Sequence, residues 1–343
     1  MSGRIQTKSD LRGSGRIPGK GSKMKVTVIG CGRWGSLIAW YLDRLGHQVT
    51  LYGRASSEHM QAFRKTRSND LLTLPERIRL STDISSAAEA EVILISINSQ
   101  GLRRLMEEEL SPLALKDKIF VLCMKGIEIP SGKRLSEIVE ETTDGSNRVA
   151  VWLGPGHVQE FYAGIPNCMV IDSHDDRVKH LLVDAFSGDL IRFYYGQDLI
   201  GNEIGAASKN VIGIAAGFLD GMELSTLKGA MMSRGTKEIS RLIDAMGGNP
   251  FSAYGLCHLG DYEATVFSPY SHNRLFGERF VRGESYDALA EGYYTAKAMH
   301  LLAERYHVEL PICEAVYRVL YCGVEDYKEE INRLFRRSLK NEF

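Results

Sequence analysis

Residues 24–46 read MKVTVIGCGRWGSLIAWYLDRLG. The first seven are mostly apolar and β-branched, which predicts a short buried strand that ends on glycine. Gly30-Cys31-Gly32-Arg33-Trp34-Gly35 then fits G-x-G-x-x-G. Residues 36–46 carry apolar side chains at helical spacing and stop on a glycine. HQVTLYG (47–53) reads as a second strand. Strand, glycine turn, helix and strand in that order make the βαβ setting in which this pattern holds a dinucleotide. Gly30 permits the tight turn, Gly32 lets the backbone approach a pyrophosphate, and Gly35 lets the helix pack on the strand. The helix N-terminus turns free N–H groups toward the phosphates, with Arg33 and Trp34 as further candidate cofactor contacts.

The pattern continues outward. RIRLS (77–81), EVILISI (91–97), KIFVLCM (118–124), RVAVWLG (148–154), NCMVID (167–172) and IRFYYG (191–196) read as strands, with helical stretches between most of them. Such alternation predicts a doubly wound, mostly parallel sheet. From about residue 198 the pattern turns helical. The expected fold is therefore a Rossmann-like α/β domain over 24–197 and an all-α, substrate-binding domain over 198–343. Residues 1–23 carry six Lys/Arg against one Asp, with many Gly and Ser. They read as a disordered tail, with Met24 as an alternative start.

Composition excludes several classes. The chain has 343 residues, 44% hydrophobic and 25% charged, with a net charge of -1. No global field attracts nucleic acid or an anionic membrane, and no apolar run reaches the ~20 residues of a membrane span. The six cysteines form no C-x-x-C pair and no zinc spacing, which suggests reduced thiols in the cytoplasm and no metal.

The second strand runs into Gly53-Arg54, where an NAD site usually places an acid for the ribose hydroxyl. Arg54, with Ser56 and Ser57, suits a 2′-phosphate instead. That favours NADP(H), with NAD(H) the alternative.

Farther on, ASKNVIGIAAG (207–217) sets a lysine on an otherwise apolar helix. Lysines are almost never fully buried without a partner. Desolvation or a second cation lowers a lysine pKa and makes the amine a usable base. Lys209 is thus either a catalytic group or a side chain snorkelling from a buried helix. The small residues Gly205, Ala206 and Gly213 around it leave room for ligands. Lys125 lies just past an apolar strand, where open α/β sheets bind ligands. SPYSHNRLFGE (268–278) reads as a helix start capped by Ser271.

The order and spacing of GCGRWGS, CMKGIEIPSGK, LGPGHVQEFYAGIPN, IGAASKNVIGIAAG, GLCHLGDY, SPYSHNRLFGE, EGYYTAKA and LPICEAVYRVLYCG resemble those of bacterial NAD(P)-dependent glycerol-3-phosphate dehydrogenases, from about residue 24 to about 335. The resemblance implies a fold like that of 6-phosphogluconate dehydrogenase. It implies reversible reduction of dihydroxyacetone phosphate to sn-glycerol 3-phosphate for glycerophospholipid synthesis, in a cytoplasmic homodimer. It makes Lys209 the proton acceptor and Lys125 a cation touching substrate and cofactor. It assigns Asp261 to substrate, and Ser271, His272, Asn273 and Arg274 to a phosphate pocket with Gly154 alongside. Gly154, Gly156, Val158, His272, Leu289 and Glu291 fall at cofactor positions. Two departures stand out. His272 occupies the place of a family arginine, for which Arg274 is a partial substitute, and phosphate binding becomes pH-dependent if His272 titrates near neutrality. Gly156-His157 replaces a hydroxyl residue followed by an aromatic. The altered pocket leaves two other readings: a sister dehydrogenase of another hydroxy or keto acid, or a cofactor-binding sensor without activity.

Overall fold

A computed structural model describes residues 23–339 and 341; the tail expected over 1–23, save Lys23, lies outside them. Eight strands form one sheet: β1 (Lys25–Ile29), β2 (Gln48–Tyr52), β3 (Arg79–Ser81), β4 (Val92–Ile95), β5 (Ile119–Leu122), β6 (Arg148–Leu153), β7 (Asn167–Asp172) and β8 (Ile191–Tyr195). Their order is β3-β2-β1-β4-β5-β6-β7-β8. The first six are parallel, and β7 pairs antiparallel with β6 and parallel with β8. Val28, Leu51, Ile93, Leu94 and Phe120 are all fully buried, because helices cover both faces of the sheet. These helices are α1 (Arg33–Arg44), α2 (Glu58–Thr66), α3 (Leu102–Arg104), α4 (Leu135–Thr142), α5 (Val158–Tyr162) and α6 (Asp176–Phe186).

Between Tyr195 and Leu199 the chain leaves the sheet for good. It continues as α7 (Leu199–Gly221), α8 (Lys228–Ala245), α9 (His272–Val281), α10 (Glu291–Tyr306), α11 (Pro311–Tyr321) and α12 (Tyr327–Phe335), with short 3₁₀ and π turns between. α7 is the axis of this half: every residue from Glu203 to Leu219 is buried. Helices that are apolar all round belong inside a core. α9 crosses it at backbone contact, since a Cβ on Gly217 would lie 2.1 Å from the Arg274 carbonyl oxygen and one on Gly277 would lie 2.3 Å from that of Ile214. Only glycine fits there.

The two halves share a buried tie. The Glu203 carboxylate on α7 accepts from Arg134 Nη1 at 2.6 Å, from Ser136 Oγ at 2.6 Å and from Ser136 N at 2.9 Å. Each oxygen is satisfied, as a buried charge requires. Among the described residues no helix is long and apolar enough to cross a membrane.

Candidate active site

The glycine turn follows the carboxyl end of β1, at the point where chain order reverses between β1 and β4. Ligands of doubly wound sheets bind at that crevice. Gly30 has φ +111°, and a Cβ there would lie 2.1 Å from the Ser96 carbonyl oxygen. A Cβ on Gly35 would lie 1.9 Å from the Gly30 carbonyl oxygen. These two glycines are therefore dictated by protein packing. Gly32 is different: a Cβ on it would meet nothing within 4 Å. The open side of Gly32, beside the first turn of α1, is the space a pyrophosphate needs, so the residues fit a dinucleotide. Trp34 packs on Phe161, with ring centroids 5.9 Å apart. Phe161 also explains Gly156, whose φ is +140° and whose Cβ would stand 2.2 Å from that ring. Val158 begins α5 and is buried in the core. Arg54 is exposed just past β2, and Ser57 caps α2 by accepting from the Met60 amide at 3.4 Å.

Three charged side chains converge where the two halves meet. Lys125 leaves the end of β5 and donates to the Gly154 carbonyl at 2.7 Å and to Asp261 Oδ2 at 2.6 Å. Lys209, in the middle of α7, reaches the same Oδ2 at 2.8 Å and donates to Thr265 Oγ1 at 2.8 Å. The Thr265 hydroxyl in turn donates to the Asp261 carbonyl at 2.6 Å. Lys209 is 7% exposed and Asp261 1%. Burial lowers the Lys209 pKa from 10.5 to about 8; the neighbouring Lys125 pushes the same way, and Asp261 opposes both. An amine with that value titrates close to neutral pH.

Two buried polar atoms here have no partner among the described residues: Asp261 Oδ1 and His157 Nε2. An unsatisfied buried acceptor costs about 1–3 kcal/mol, so such atoms mark where a ligand's polar groups would go. Burial lowers the His157 pKa, and the charges of Lys209, Lys125 and Asp261 all act on its ring. The ring also stands 5.5 Å from that of Tyr270.

Asn210, one residue beyond Lys209, donates to the Lys125 carbonyl at 3.4 Å and accepts from Asn273 Nδ2 at 3.1 Å. Asn273 Oδ1 accepts from the Gly292 amide at 2.9 Å. This amide chain links the start of α9 and the start of α10 to the lysine cluster. Ser271 caps α9, accepting from the Arg274 amide at 3.3 Å. Glu291 accepts from Ser99 Oγ at 2.6 Å and Ser99 N at 3.3 Å, and burial raises its pKa. Leu289 is 49% exposed in the loop before α10.

Several expectations need correction. Arg274 does not turn toward the cluster: its Nη1 pairs with Asp220 and Glu278 at 2.9 Å each, and its Nε donates to the Ser268 carbonyl. Asp220 lies eleven residues beyond Lys209, about 16 Å along the helix. Burial, and then the Arg33 charge, lower the His272 pKa from its ordinary 6.5, which weakens the case for a pH-dependent phosphate contact there. Gly205 and Gly213 do not clear space for ligands. Cβ atoms there would stand 3.0 Å from His258 Cβ and 2.7 Å from Thr265 Cγ2, so the room is taken by protein. His258 itself is buried with Nδ1 on the Gly205 carbonyl and Nε2 on the Tyr262 hydroxyl. The sequence assigns no role to Thr265 or Asn210. Asn210 adjoins the lysine and could have been found, whereas nothing local marks Thr265.

Residues 25–179 match the profile for the N-terminus of NAD-dependent glycerol-3-phosphate dehydrogenase, and residues 198–330 match that for its C-terminus. A glycerol-3-phosphate dehydrogenase [NAD(P)+] from Thermoanaerobacter sp. is 34% identical over 93% of this chain and 99% of its own length. One from Prosthecochloris aestuarii is 37% identical over 87% of this chain and 94% of its own. Among solved structures, the glycerol-3-phosphate dehydrogenase of Coxiella burnetii superposes with a TM-score of 0.84 at 28% identity, over 92% of this chain and 99% of that one. With both halves matched and relatives this similar along nearly their whole length, the chain belongs to the NAD-dependent glycerol-3-phosphate dehydrogenase family and is an oxidoreductase.

Proposed function

We propose that the protein reduces dihydroxyacetone phosphate reversibly to sn-glycerol 3-phosphate, with Lys209 moving the proton. The observation that carries this reading is the buried Lys209 ammonium, lowered to about pKa 8 and held on a carboxylate whose other oxygen has no partner among the described residues. When bound, the nicotinamide supplies the hydride in one direction and takes it in the other. In reduction, the Lys209 ammonium gives a proton to the ketone oxygen as the alcohol forms. In oxidation, the neutral amine takes that proton from the hydroxyl. Two of the ammonium's N–H bonds are directed at Thr265 and Asp261, which leaves a third for the substrate oxygen. Asp261 Oδ1 then accepts from a second substrate hydroxyl, and Lys125 holds Asp261 in place while contacting substrate.

NADP(H) is the preferred cofactor in this reading. No acid stands at the end of β2, and the exposed Arg54 and Ser56 suit a 2′-phosphate. Gly30, Gly32, Gly35, Gly154, Gly156, Val158, Leu289 and Glu291 complete the cofactor side, and Ser271 and Asn273 the phosphate side. The proposal includes what family membership suggests: a cytoplasmic homodimer supplying the glycerol phosphate of phospholipids.

Oxidation of NADPH and NADH by dihydroxyacetone phosphate, for the wild type and Lys209→Ala, tests the reading. Loss of Lys209 should cost ~10²–10⁴-fold in turnover; a loss below about tenfold would exclude an acid–base role. Because Arg274 is spent on Asp220 and Glu278, non-phosphorylated hydroxy and keto acids belong in the same panel. Faster turnover of one of those would favour a sister dehydrogenase.

A further inference from the structure

We propose that the phosphate-binding guanidinium of this site is Arg33, reaching across the cleft from the glycine turn, and that His272 is its positioning residue. This rests on the dehydrogenase reading above and deepens it.

Arg33 Nη1 stands 3.3 Å from His272 Nε2. The contact joins the first turn of α1 to the first turn of α9, and so one half of the molecule to the other. A guanidinium has donors only, so Nε2 must be the acceptor. The imidazole proton therefore sits on Nδ1, which donates to the Tyr286 hydroxyl at 2.7 Å. Tyr286 fixes the tautomer, and the tautomer presents a lone pair to Arg33. A charged His272 would set N–H against N–H and lose the contact. Burial, followed by the Arg33 charge, lowers the pKa of the ring and so favours its neutral form.

The electrostatics of the corner are unbalanced. Arg33 is half-buried, and among the described residues no carboxylate lies within ion-pair distance of it. Among the described residues the one hydrogen-bond partner of its guanidinium is His272, which brings no negative charge. The N-termini of α1 and α9 both bring partial positive charge to the same place. Arg279, over the Tyr286 ring at 5.7 Å, adds another cation nearby. The second arginine of this corner, Arg274, is already neutralised by Asp220 and Glu278. A half-buried, uncompensated guanidinium between two helix N-termini calls for an anion with several oxygens. A phosphate group takes the planar fork that His272 leaves open. Position 272 thus supplies no charge itself; it holds in register a charge that comes from the opposite wall.

The phosphate could belong to the cofactor's pyrophosphate or to the substrate, and the experiment separates the two. Four proteins are compared: wild type, Arg33→Ser, His272→Arg, and Arg33→Ser/His272→Arg, which moves the guanidinium back across the cleft. Calorimetry reads NADPH binding first and then glycerol 3-phosphate binding to the NADPH-loaded protein. Arg33→Ser should weaken one of these by ~10–100-fold, as loss of charge-assisted hydrogen bonds does. A loss in the first titration assigns the guanidinium to the pyrophosphate, and a loss in the second to the substrate phosphate. The double variant should regain most of the affinity, which also shows that the single variant is folded. His272→Arg alone should bind more weakly than wild type, because two guanidinium groups then face each other. Loss of less than about threefold in both titrations, or a double variant no better than Arg33→Ser, would overturn the proposal. A wild type that binds both ligands but does not turn over dihydroxyacetone phosphate would sink the functional reading and leave this one standing.

Discussion

Asp261 and Lys209 meet at 2.8 Å through one carboxylate oxygen, while the other oxygen of Asp261 is buried without a hydrogen bond among the described residues. A carboxylate so divided serves two ends at once: it anchors an amine and keeps an acceptor in reserve. The same oxygen also holds Lys125 at 2.6 Å, so the charge state of Lys209 depends on both neighbours.

The pH profile of the enzyme should carry this signature. Alcohol oxidation needs the neutral amine, so its rate should rise with pH through about 8. Ketone reduction needs the ammonium, so its rate should fall through the same region. Initial rates in both directions from pH 6 to 10 check this. Two limbs with the same slope would remove Lys209 from proton transfer.

Two substitutions should move that midpoint in opposite directions. Asp261 raises the Lys209 pKa and Lys125 lowers it. Asp261→Asn should therefore shift the midpoint below 8, and Lys125→Met should shift it above, whatever each does to turnover. A common direction of shift would contradict the assignment of charges.

Cofactor choice should depend on the exposed arginine past β2. Arg54→Ala should weaken NADPH by ~10-fold or more, and leave NADH within about twofold, because only the former carries a 2′-phosphate. Fluorescence titration with each cofactor measures the ratio; equal losses for both would assign Arg54 no part in the discrimination.

Stability should be sensitive where α7 and α9 cross. Gly217→Ala places a methyl group 2.1 Å from the Arg274 carbonyl oxygen, which is backbone and cannot swing aside. Overpacking of this kind costs ~1–3 kcal/mol or more. Calorimetric scans should show a lower Tm, whereas Gly229→Ala, which meets nothing within 4 Å, should leave it nearly unchanged.

His157 offers a further check. Its Nε2 is buried beside the lysine cluster and has no partner among the described residues. His157→Phe keeps a ring of similar shape and removes the unsatisfied nitrogen, so the free protein should gain stability of about 1 kcal/mol. KM for the substrate should rise several-fold at the same time. A variant changed in neither respect would make that nitrogen irrelevant to both.

Much of this molecule can be read from its residues because backbone geometry leaves few choices. Gly30 and Gly35 stand where a Cβ would strike carbonyl oxygens, and Gly32 where it would strike nothing; the motif announces that distinction without coordinates. Lys209 is visible as a charge on an apolar helix. What escapes notice depends on partners remote in sequence. Arg274 looks available until Asp220, 54 residues away, is found holding it. Gly213 looks like an opening for a ligand until Thr265 is found occupying the space. Arg33 reads as a cofactor contact of the glycine turn, but its tie to the opposite wall stays hidden until His272, 239 residues on, accepts its hydrogen bond. Local patterns specify the turns, and long-range packing decides which polar groups stay free.

The pair Lys125–Asp261 spans the seam between the sheet and the helices. Separating the two lobes would draw one cation away from Lys209 and admit water to it, and each change strengthens the hold of that nitrogen on its proton. Basicity here is thus a property of the assembled cleft: parting the lobes would lock the proton on the amine, and joining them would ready it for transfer.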